Sequence, residues 1–267
     1  MLKDITLGQY FPGDSIVHRL DPRTKFILTF VYIVALFTAQ GIYSYSLMFV
    51  VLLTCILLSQ IGFKTILRSV KPLLVIIIFT FILNVLFTRG TPLFHFWIIT
   101  VTYEGVITAG AMVVRLVMLI TGTFLLTYTT SPIALTDGME RLFNPLKKLR
   151  VPVHELSMMM SIALRFIPTL IEETDKIISA QRARGADFDS GNLVRRAKAM
   201  LPILVPLFIS AFRRADELAV AMESRCYHGG EGRTRMKVLK LGARDTTAFI
   251  LAALVLAAVI ILKIFGL

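Results

Sequence analysis

The stretch VKPLLVIIIFTFILNVLF, residues 70–87, decides the class of fold, because Lys71 is its only charged residue. A transmembrane helix needs about 20 mostly apolar residues. Four further runs have the same character and complete the predicted spans: residues 26–39, 45–61, 106–128 and 246–265. Apolar residues make up 56% of the chain, above the roughly 45–50% of soluble domains. The sequence therefore predicts an all-α polytopic membrane protein with about five transmembrane helices.

Basic residues are distributed unevenly along the chain, which has 29 Lys and Arg against 17 Asp and Glu. Residues 1–25 hold four of them, and residues 131–245 hold nineteen. Another three, Lys64, Arg68 and Lys71, fall in the predicted loop after the second span. Since Lys and Arg concentrate on the cytoplasmic side of membranes, this excess predicts a cytoplasmic N-terminus and a cytoplasmic region before the last span. It gives no reason to expect a nucleic-acid partner.

The chain divides into four predicted parts. Residues 1–25 form a cytoplasmic N-terminal segment, 26–128 the first four transmembrane helices, 129–244 a cytoplasmic helical region inserted before the last span, and 245–267 the last transmembrane helix. Within the second part, residues 93–101 are apolar but too short to span, and we expect an interfacial segment there.

The inserted region is rich in helix-forming residues and predicts three helices, at about residues 132–149, 153–184 and 192–227. The second and third begin apolar and end charged. Such helices can lie along the membrane interface or against other membrane helices and present polar ends to the cytoplasm.

The ends of these two helices share the pattern D-x4-A-x2-small-R. The matching residues are Asp175, Ala180, Ala183 and Arg184 in one helix and Asp216, Ala221, Ser224 and Arg225 in the other. The five donors of an arginine guanidinium suit a carboxylate in a partner's groove, so the pattern indicates two similar docking tips. The alternative is that each arginine only complements the dipole at its helix C-terminus.

One family resemblance covers essentially the whole chain. Residues 8–25, GQYFPGDSIVHRLDPRTK, include Leu20, Asp21, Pro22 and Arg23 and resemble the opening signature of the transmembrane T component (EcfT) of energy-coupling factor (ECF) transporters. The triplets Ala183-Arg184-Gly185 and Ser224-Arg225-Cys226 resemble the two Ala-Arg-Gly motifs at the ends of that family's coupling helices. The second triplet keeps only the arginine and a small residue before it.

The resemblance implies a non-enzymatic scaffold in a prokaryotic cell membrane. It would hold two cytoplasmic ABC ATPases through Arg184 and Arg225, and a small membrane-embedded substrate-binding S component through apolar surfaces. ATP would be used by the partner subunits to drive uptake of a vitamin or other micronutrient, with no cofactor or metal bound by this chain. A T component dedicated to one substrate, such as a metal ion or biotin, remains an alternative.

Other function classes find less support in the residues. Gly62-Phe63-Lys64-Thr65 lacks the spacing of a phosphate-binding loop, and His154-Glu155 lacks the second histidine of a zinc protease. A self-contained secondary transporter predicts inverted repeats and several polar residues at mid-membrane, and neither is evident. For Arg115, inside the fourth span, a structural pair with another helix is favoured over a transport path.

The signature residues Asp21-Pro22-Arg23 also allow two interpretations. Proline fixes φ and aspartate can begin a turn, so a turn before the first span is one of them. A brace from the N-terminal segment to the coupling helices is the other.

Overall fold

The computed structural model describes residues 10–96, 99–186, 188, 192–230 and 238–266. These residues form two compact units. The membrane unit comprises Gly8–Gly138 and Leu239–Leu267, and the internal unit comprises Met139–Val238. The first nine residues of the predicted N-terminal segment lie outside the described residues.

The membrane unit is built from apolar helices, and the predicted spans correspond to them. The helices are α1 (Pro22–Thr38), α2 (Gly41–Ser59), α3 (Phe63–Val70), α4 (Leu74–Phe87), α5 (Tyr103–Thr129) and, near the end of the chain, α9 (Ala243–Ile264). The apolar or amphipathic sequence of each helix and its capping residues determine where the helix begins and ends. Helix α1 begins four residues before the predicted span because Asp21 caps it and Pro22 occupies its first position.

Four helical segments in the described residues are long and apolar enough to cross a membrane: Gly41–Ser59, Phe63–Phe87, Tyr103–Thr129 and Ala243–Ile264. They match four of the five predicted spans. Helix α1, with 17 residues, is shorter than the roughly 20 residues of a full span, so its crossing stays a prediction. The all-α polytopic class is confirmed.

Helix α3 corrects the predicted loop after the second span. Residues Phe63–Val70 are helical, and a single 3₁₀ turn, Lys71–Leu73, joins them to α4. In the sequence, Lys64, Arg68 and Lys71 made this segment resemble a charged loop. Only Ile66 and Ser69 are buried in this helix.

A β-hairpin forms around the predicted interfacial segment at residues 93–101, whose position relative to the membrane interface stays a prediction. Strands β1 (Pro92–Phe96) and β2 (Ile99–Thr102) pair in antiparallel register, with His95 opposite Thr100. The tip residues 97 and 98 lie outside the described residues. The strands are a local exception to the all-α class, because a run of about five alternating residues is long enough for a hairpin but not for a span.

The core of the membrane unit forms where α1, α2, α3, α5 and α9 meet. Its buried residues are Ala35, Leu36, Ala39, Met48, Leu52, Ile56, Ile66, Met118 and Val259. Close approach of α1 and α5 depends on Gly122, where an added Cβ would lie 2.6 Å from the Tyr32 ring. Elsewhere the helices expose large apolar side chains, as expected of surfaces that face lipid or partner proteins.

Helix α6 (Pro132–Phe143) follows α5 and leads through a 3₁₀ segment, Asn144–Leu149, into the internal unit. That unit contains two long helices, α7 (Val153–Ala183) and α8 (Leu193–Ser224). Both agree with the predicted bounds to within three residues. Each remains continuous through internal prolines, Pro168 in α7 and Pro202 and Pro206 in α8.

Candidate functional site

The first predicted docking tip is the C-terminal cap of α7. Arg184 is the capping residue, and Gly185 follows it with a φ of +87°. The Gly185 amide donates to the Arg182 carbonyl at 2.9 Å, and the Ala186 amide donates to the Gln181 carbonyl at 3.0 Å. These two hydrogen bonds are those of a Schellman motif, which turns the chain sharply away from the helix axis.

The second tip has the same backbone geometry. Cys226 has a φ of +56° and occupies the position that Gly185 holds in the first tip. Its amide donates to the Glu223 carbonyl at 2.8 Å, and the Tyr227 amide donates to the Met222 carbonyl at 3.0 Å. The cysteine therefore departs from the Ala-Arg-Gly triplet in residue type but not in conformation.

All six residues of the two triplets are exposed: Ala183, Arg184, Gly185, Ser224, Arg225 and Cys226. Within the described ranges, neither Arg184 nor Arg225 forms an ion pair in this chain. The Schellman turn directs the following backbone away, and the small residue before each arginine leaves its side chain unobstructed. The geometry is suited to insertion of a guanidinium into a partner's acidic groove.

The aspartates of the shared pattern do not pair with the tip arginines in the described part of the chain. A spacing of nine residues is two and a half helical turns, so Asp175 and Arg184 point to opposite faces of α7. Asp216 and Arg225 have the same relation on α8. Ala180 and Ala221 lie in the last two turns, where the Ala180 carbonyl accepts the Arg184 amide at 3.3 Å.

Helices α7 and α8 are joined by a polar contact that sequence reasoning missed. Glu173 on α7 accepts hydrogen bonds from Ser210 at 2.8 Å and from Arg214 at 2.6 Å, both on α8. The Arg214 hydrogen bond is the main reason why the pKa of Glu173 lies below its ordinary value, and the Ser210 hydrogen bond adds to the effect. No local pattern signals this contact, because its partners are 37 and 41 residues away.

A second contact of the internal unit lies near the start of α7. His154 Nδ1 is 2.8 Å from Glu140 Oε1 of α6, and the imidazole ring packs so closely on Gly230 that a side chain there would overlap it. Glu173 of α7 contacts Ser210 and Arg214 of α8. His154 comes before Glu173 in the chain, but it contacts Gly230, which comes after Arg214. The two helices are therefore antiparallel, and the two tips lie at opposite ends of the pair. About 45 Å of helix separates His154 from Arg184.

The signature residues form a buried polar cluster in the membrane unit. Asp21 Oδ1 accepts the Arg23 amide at 2.9 Å and Arg23 Nε at 3.1 Å, which caps α1. The Asp21 amide in turn donates to Asp245 Oδ1 at 2.9 Å, and Arg23 Nη2 donates to the Leu239 carbonyl at 3.3 Å. Leu20 is half-buried just before the cap. The signature is therefore both a turn and a brace.

In the residues that the structure describes, the printed partner of this brace is the start of α9, where Asp245 also accepts the Gly242 amide at 2.8 Å. A brace from the N-terminal segment to the coupling helices stays a prediction. Pro22 packs beside Gly138, where an added Cβ would lie 3.0 Å from the proline ring. Lys25 is also buried and donates to the carbonyls of His18 and Thr129.

Arg115 forms the structural pair that was favoured for it. Its guanidinium donates to the Tyr45 hydroxyl of α2 and, at 3.3 Å, to the Ala39 carbonyl at the end of α1. It also lies over the Tyr45 and Phe37 rings, at 5.6 and 6.0 Å from their centroids. Aromatic faces and a helix-end carbonyl take the place of an acidic partner.

Apolar spans and an all-α architecture define a polytopic membrane protein, and two of its long helices end in exposed tips. The family model described as "Cobalt transport protein" (CbiQ) matches residues 13–236.

Proteins named "Energy-coupling factor transporter transmembrane protein EcfT" are similar over nearly their whole length. The chain is 56% identical to that of Clostridium kluyveri over 265 residues, 98% of each chain. It is 54% identical to that of Thermosediminibacter oceani, over 95% of this chain and 96% of the relative. It is 49% identical to that of Bacillus subtilis, over 97% and 98%.

The chain belongs to the family of EcfT transmembrane proteins of energy-coupling factor transporters. It is therefore a membrane component of a transporter, which is a non-enzymatic role, and it acts in a complex with other subunits.

Proposed function

We propose that this chain is the scaffold that couples two cytoplasmic ABC ATPases to a membrane-embedded S component. Arg184 and Arg225 insert into related acidic grooves, one on each ATPase. The observation that carries the proposal is the identical Schellman cap of the two tips, which exposes an equivalent arginine at each. Two similar receptors explain two tips of the same geometry better than chance placement of basic residues does.

The antiparallel arrangement of α7 and α8 supports the pairing of one tip with one ATPase. Because the tips lie at opposite ends of the helix pair, two partners can dock without competing for the same space. The contact of Glu173 with Ser210 and Arg214 joins the two helices between the tips. Movement of one ATPase relative to the other is then transmitted to the point where α7 and α8 cross.

The S component binds the apolar surfaces that these helices leave exposed. The exposed large side chains are Leu156, Met159 and Met160 on α7 and Met200, Leu201, Leu204, Val205, Phe208, Ile209 and Phe212 on α8. Flexible methionines adapt to different partners, which suits a scaffold shared among several S components for vitamins or other micronutrients. The alternative is a dedicated scaffold for one substrate, such as biotin or a metal ion, and the description of the family model names cobalt.

ATP is bound and hydrolysed by the partner ATPases, and this chain holds no cofactor of its own. The bias of Lys and Arg supports a position of the N-terminus and both tips on the cytoplasmic side of a prokaryotic cell membrane. That side is also where the ATPases have access to ATP.

The test is co-purification of tagged protein in mild detergent from its native membrane. We expect the wild type to retain two ABC ATPases and at least one small membrane protein. Arg184→Glu and Arg225→Glu together are expected to abolish ATPase retention, because each buried guanidinium–carboxylate pair becomes a like-charge contact. Truncation to alanine is expected to cost less than charge reversal.

Arg165→Glu on α7 and Arg213→Glu on α8 are the matched controls, because both arginines are exposed and lie away from the tips. They should retain the ATPases. Loss in the controls as well would show a nonspecific charge effect and contradict the docking proposal. Wild type that purifies alone would favour a self-contained transporter, and one co-purified small membrane protein in place of several would favour the dedicated scaffold.

A further inference from the structure

We propose that the basic face formed by Lys64 and Arg68 of α3 and by Lys71 of the 3₁₀ turn that follows it is a binding site for the phosphate headgroups of anionic phospholipids. This site is separate from the tips and lies wholly in the membrane unit. It rests on the membrane location of the chain and not on the ATPase docking proposed above.

The three basic residues share one face of the helix. Their spacing of four and then three residues places them within an arc of about 60°, at 100° per residue. All three are exposed. The exposed apolar residues Phe63 and Leu67 occupy the adjacent arc, with 61% and 57% of their surface accessible. Helices with a basic face beside an apolar face lie at the boundary between headgroups and acyl chains.

The opposite face of α3 is held by the rest of the membrane unit. Ile66 and Ser69 are buried, and the Ser69 hydroxyl is hydrogen-bonded to the Tyr128 hydroxyl near the end of α5. This contact fixes the rotation of α3, so its basic face points away from the protein core.

The depth of the site follows from the length of the helix. The continuous helical segment Phe63–Phe87 has 25 residues and measures about 37 Å, longer than the hydrocarbon core of about 30 Å. Its first turns therefore extend into the headgroup layer. Lys71, about two turns beyond Lys64, reaches the same layer because a lysine stem can lie along apolar surface while its ammonium stays at the interface.

Neighbouring cations at the same end of the unit have partners within the chain. Arg23 pairs with Asp21, and Lys25 donates to Thr129, the residue after Tyr128. In the described part of the chain, Lys64, Arg68 and Lys71 form no ion pair. The sequence contains no Asp or Glu between Asp21 and Glu104, so this region offers no acidic residue for them. The basic face is therefore open to an external anion.

Phospholipid fits this surface better than an acidic protein. A lipid supplies a phosphate for the basic arc and acyl chains for Phe63 and Leu67 at the same depth. Each Lys or Arg near an anionic membrane surface changes the affinity for that surface by roughly fivefold. Three such residues together change it on the order of a hundredfold.

The experiment is native mass spectrometry of the full chain in detergent, titrated with phosphatidylglycerol or with phosphatidylcholine. We expect the wild type to retain phosphatidylglycerol preferentially. The variant K64Q/R68Q/K71Q should lose that preference by roughly a hundredfold, and the single variant K64Q by about fivefold. The single variant keeps the test decisive if the triple variant fails to fold.

Two controls separate charge on α3 from charge in general. K64R/R68K/K71R keeps the charges and should keep the preference. K147Q/K148Q/R150Q removes the same number of exposed charges from the internal unit and should also keep it. Equal lipid retention by wild type and K64Q/R68Q/K71Q would overturn the proposal.

Two further outcomes would assign the face to another ligand. Displacement of phosphatidylglycerol by inorganic phosphate alone would make it a site for free phosphate. Unchanged lipid retention with loss of co-purified ATPases in K64Q/R68Q/K71Q would make it a protein-docking surface. Since R184E/R225E leaves α3 intact, its lipid retention should be normal even if the ATPase docking fails.

Discussion

At the scale of single residues, the two tips reach one conformation with different side chains. Gly185 adopts a positive φ without steric cost, whereas Cys226 adopts it with a Cβ atom present. A left-handed conformation costs a residue other than glycine about 1–2 kcal/mol. The second tip therefore stores strain that the first does not, although their hydrogen bonds are the same.

Replacing Cys226 with glycine should stabilise the second tip by about 1 kcal/mol, because it removes the steric cost of the positive φ. Slower hydrogen exchange at the amides of residues 226 and 227 would report the gain. Cys226→Ala serves as the control, since it removes the thiol but keeps the Cβ. Equal protection from hydrogen exchange in the alanine and glycine variants would show that the thiol, and not the backbone conformation, limits the stability of the second tip.

The arginines of the tips were predictable because their spacing and helix-end position repeat within the sequence. For Arg115, the sequence predicted a structural pair with another helix but not which residue the partner is. Its position inside an apolar run required a partner, but Tyr45 and the Ala39 carbonyl are 70 and 76 residues away. Spacing along a helix carries no information about contacts at that separation.

At the scale of elements, one acidic side chain joins the two long helices of the internal unit. Glu173 accepts two hydrogen bonds from α8 and is thereby favoured in its ionised form. Since its pKa is lowered in the folded protein, its stabilising effect is present above the unfolded value of about 4.3. The effect is lost as the pH falls through the lower, folded value.

Glu173→Gln should therefore lower the thermal stability of the chain at neutral pH, because the charged hydrogen bond to Arg214 is replaced by a neutral one. The difference from wild type should shrink as the pH is lowered below about 4, where the wild-type carboxyl also becomes neutral. Melting curves of both proteins across that range measure the effect. Glu172→Gln, an exposed neighbour, is the control. A difference that stays constant with pH would contradict the role assigned to the ionised carboxyl.

Some elements followed from the sequence more closely than others. Helices α7 and α8 were predicted well because long periodic segments with clear stops leave few alternatives. Helix α3 was missed because a basic face on a short helix resembles a solvated loop. The β-hairpin was not predicted, because a short apolar run does not by itself indicate its secondary structure.

At the scale of the whole molecule, the signature connects the beginning and the end of the membrane unit. Asp21 and Asp245 are 224 residues apart, and both are buried. The cluster ties the cap of the first helix to the cap of the last. Such a contact could not be predicted from the sequence, because the apolar pattern of each span gives its length but not its neighbours.

Asp245→Ala should destabilise the membrane unit by about 1–3 kcal/mol, because it leaves the buried Asp21 amide without its acceptor and removes the cap of α9. Thermal unfolding in detergent would measure the loss. The adjacent Arg244→Ala, at an exposed position, should have little effect. Equal melting temperatures for wild type and Asp245→Ala would show that the brace contributes nothing to stability.

The exposed thiol of the second tip has a practical consequence. The chain contains only two cysteines, and Cys55 lies partly covered in the apolar helix α2 while Cys226 is exposed beside Arg225. A maleimide fluorophore should therefore react chiefly at residue 226 without any engineered cysteine. The native protein would then carry an optical reporter next to one docking arginine, so binding of a partner could be followed in real time through the change in emission.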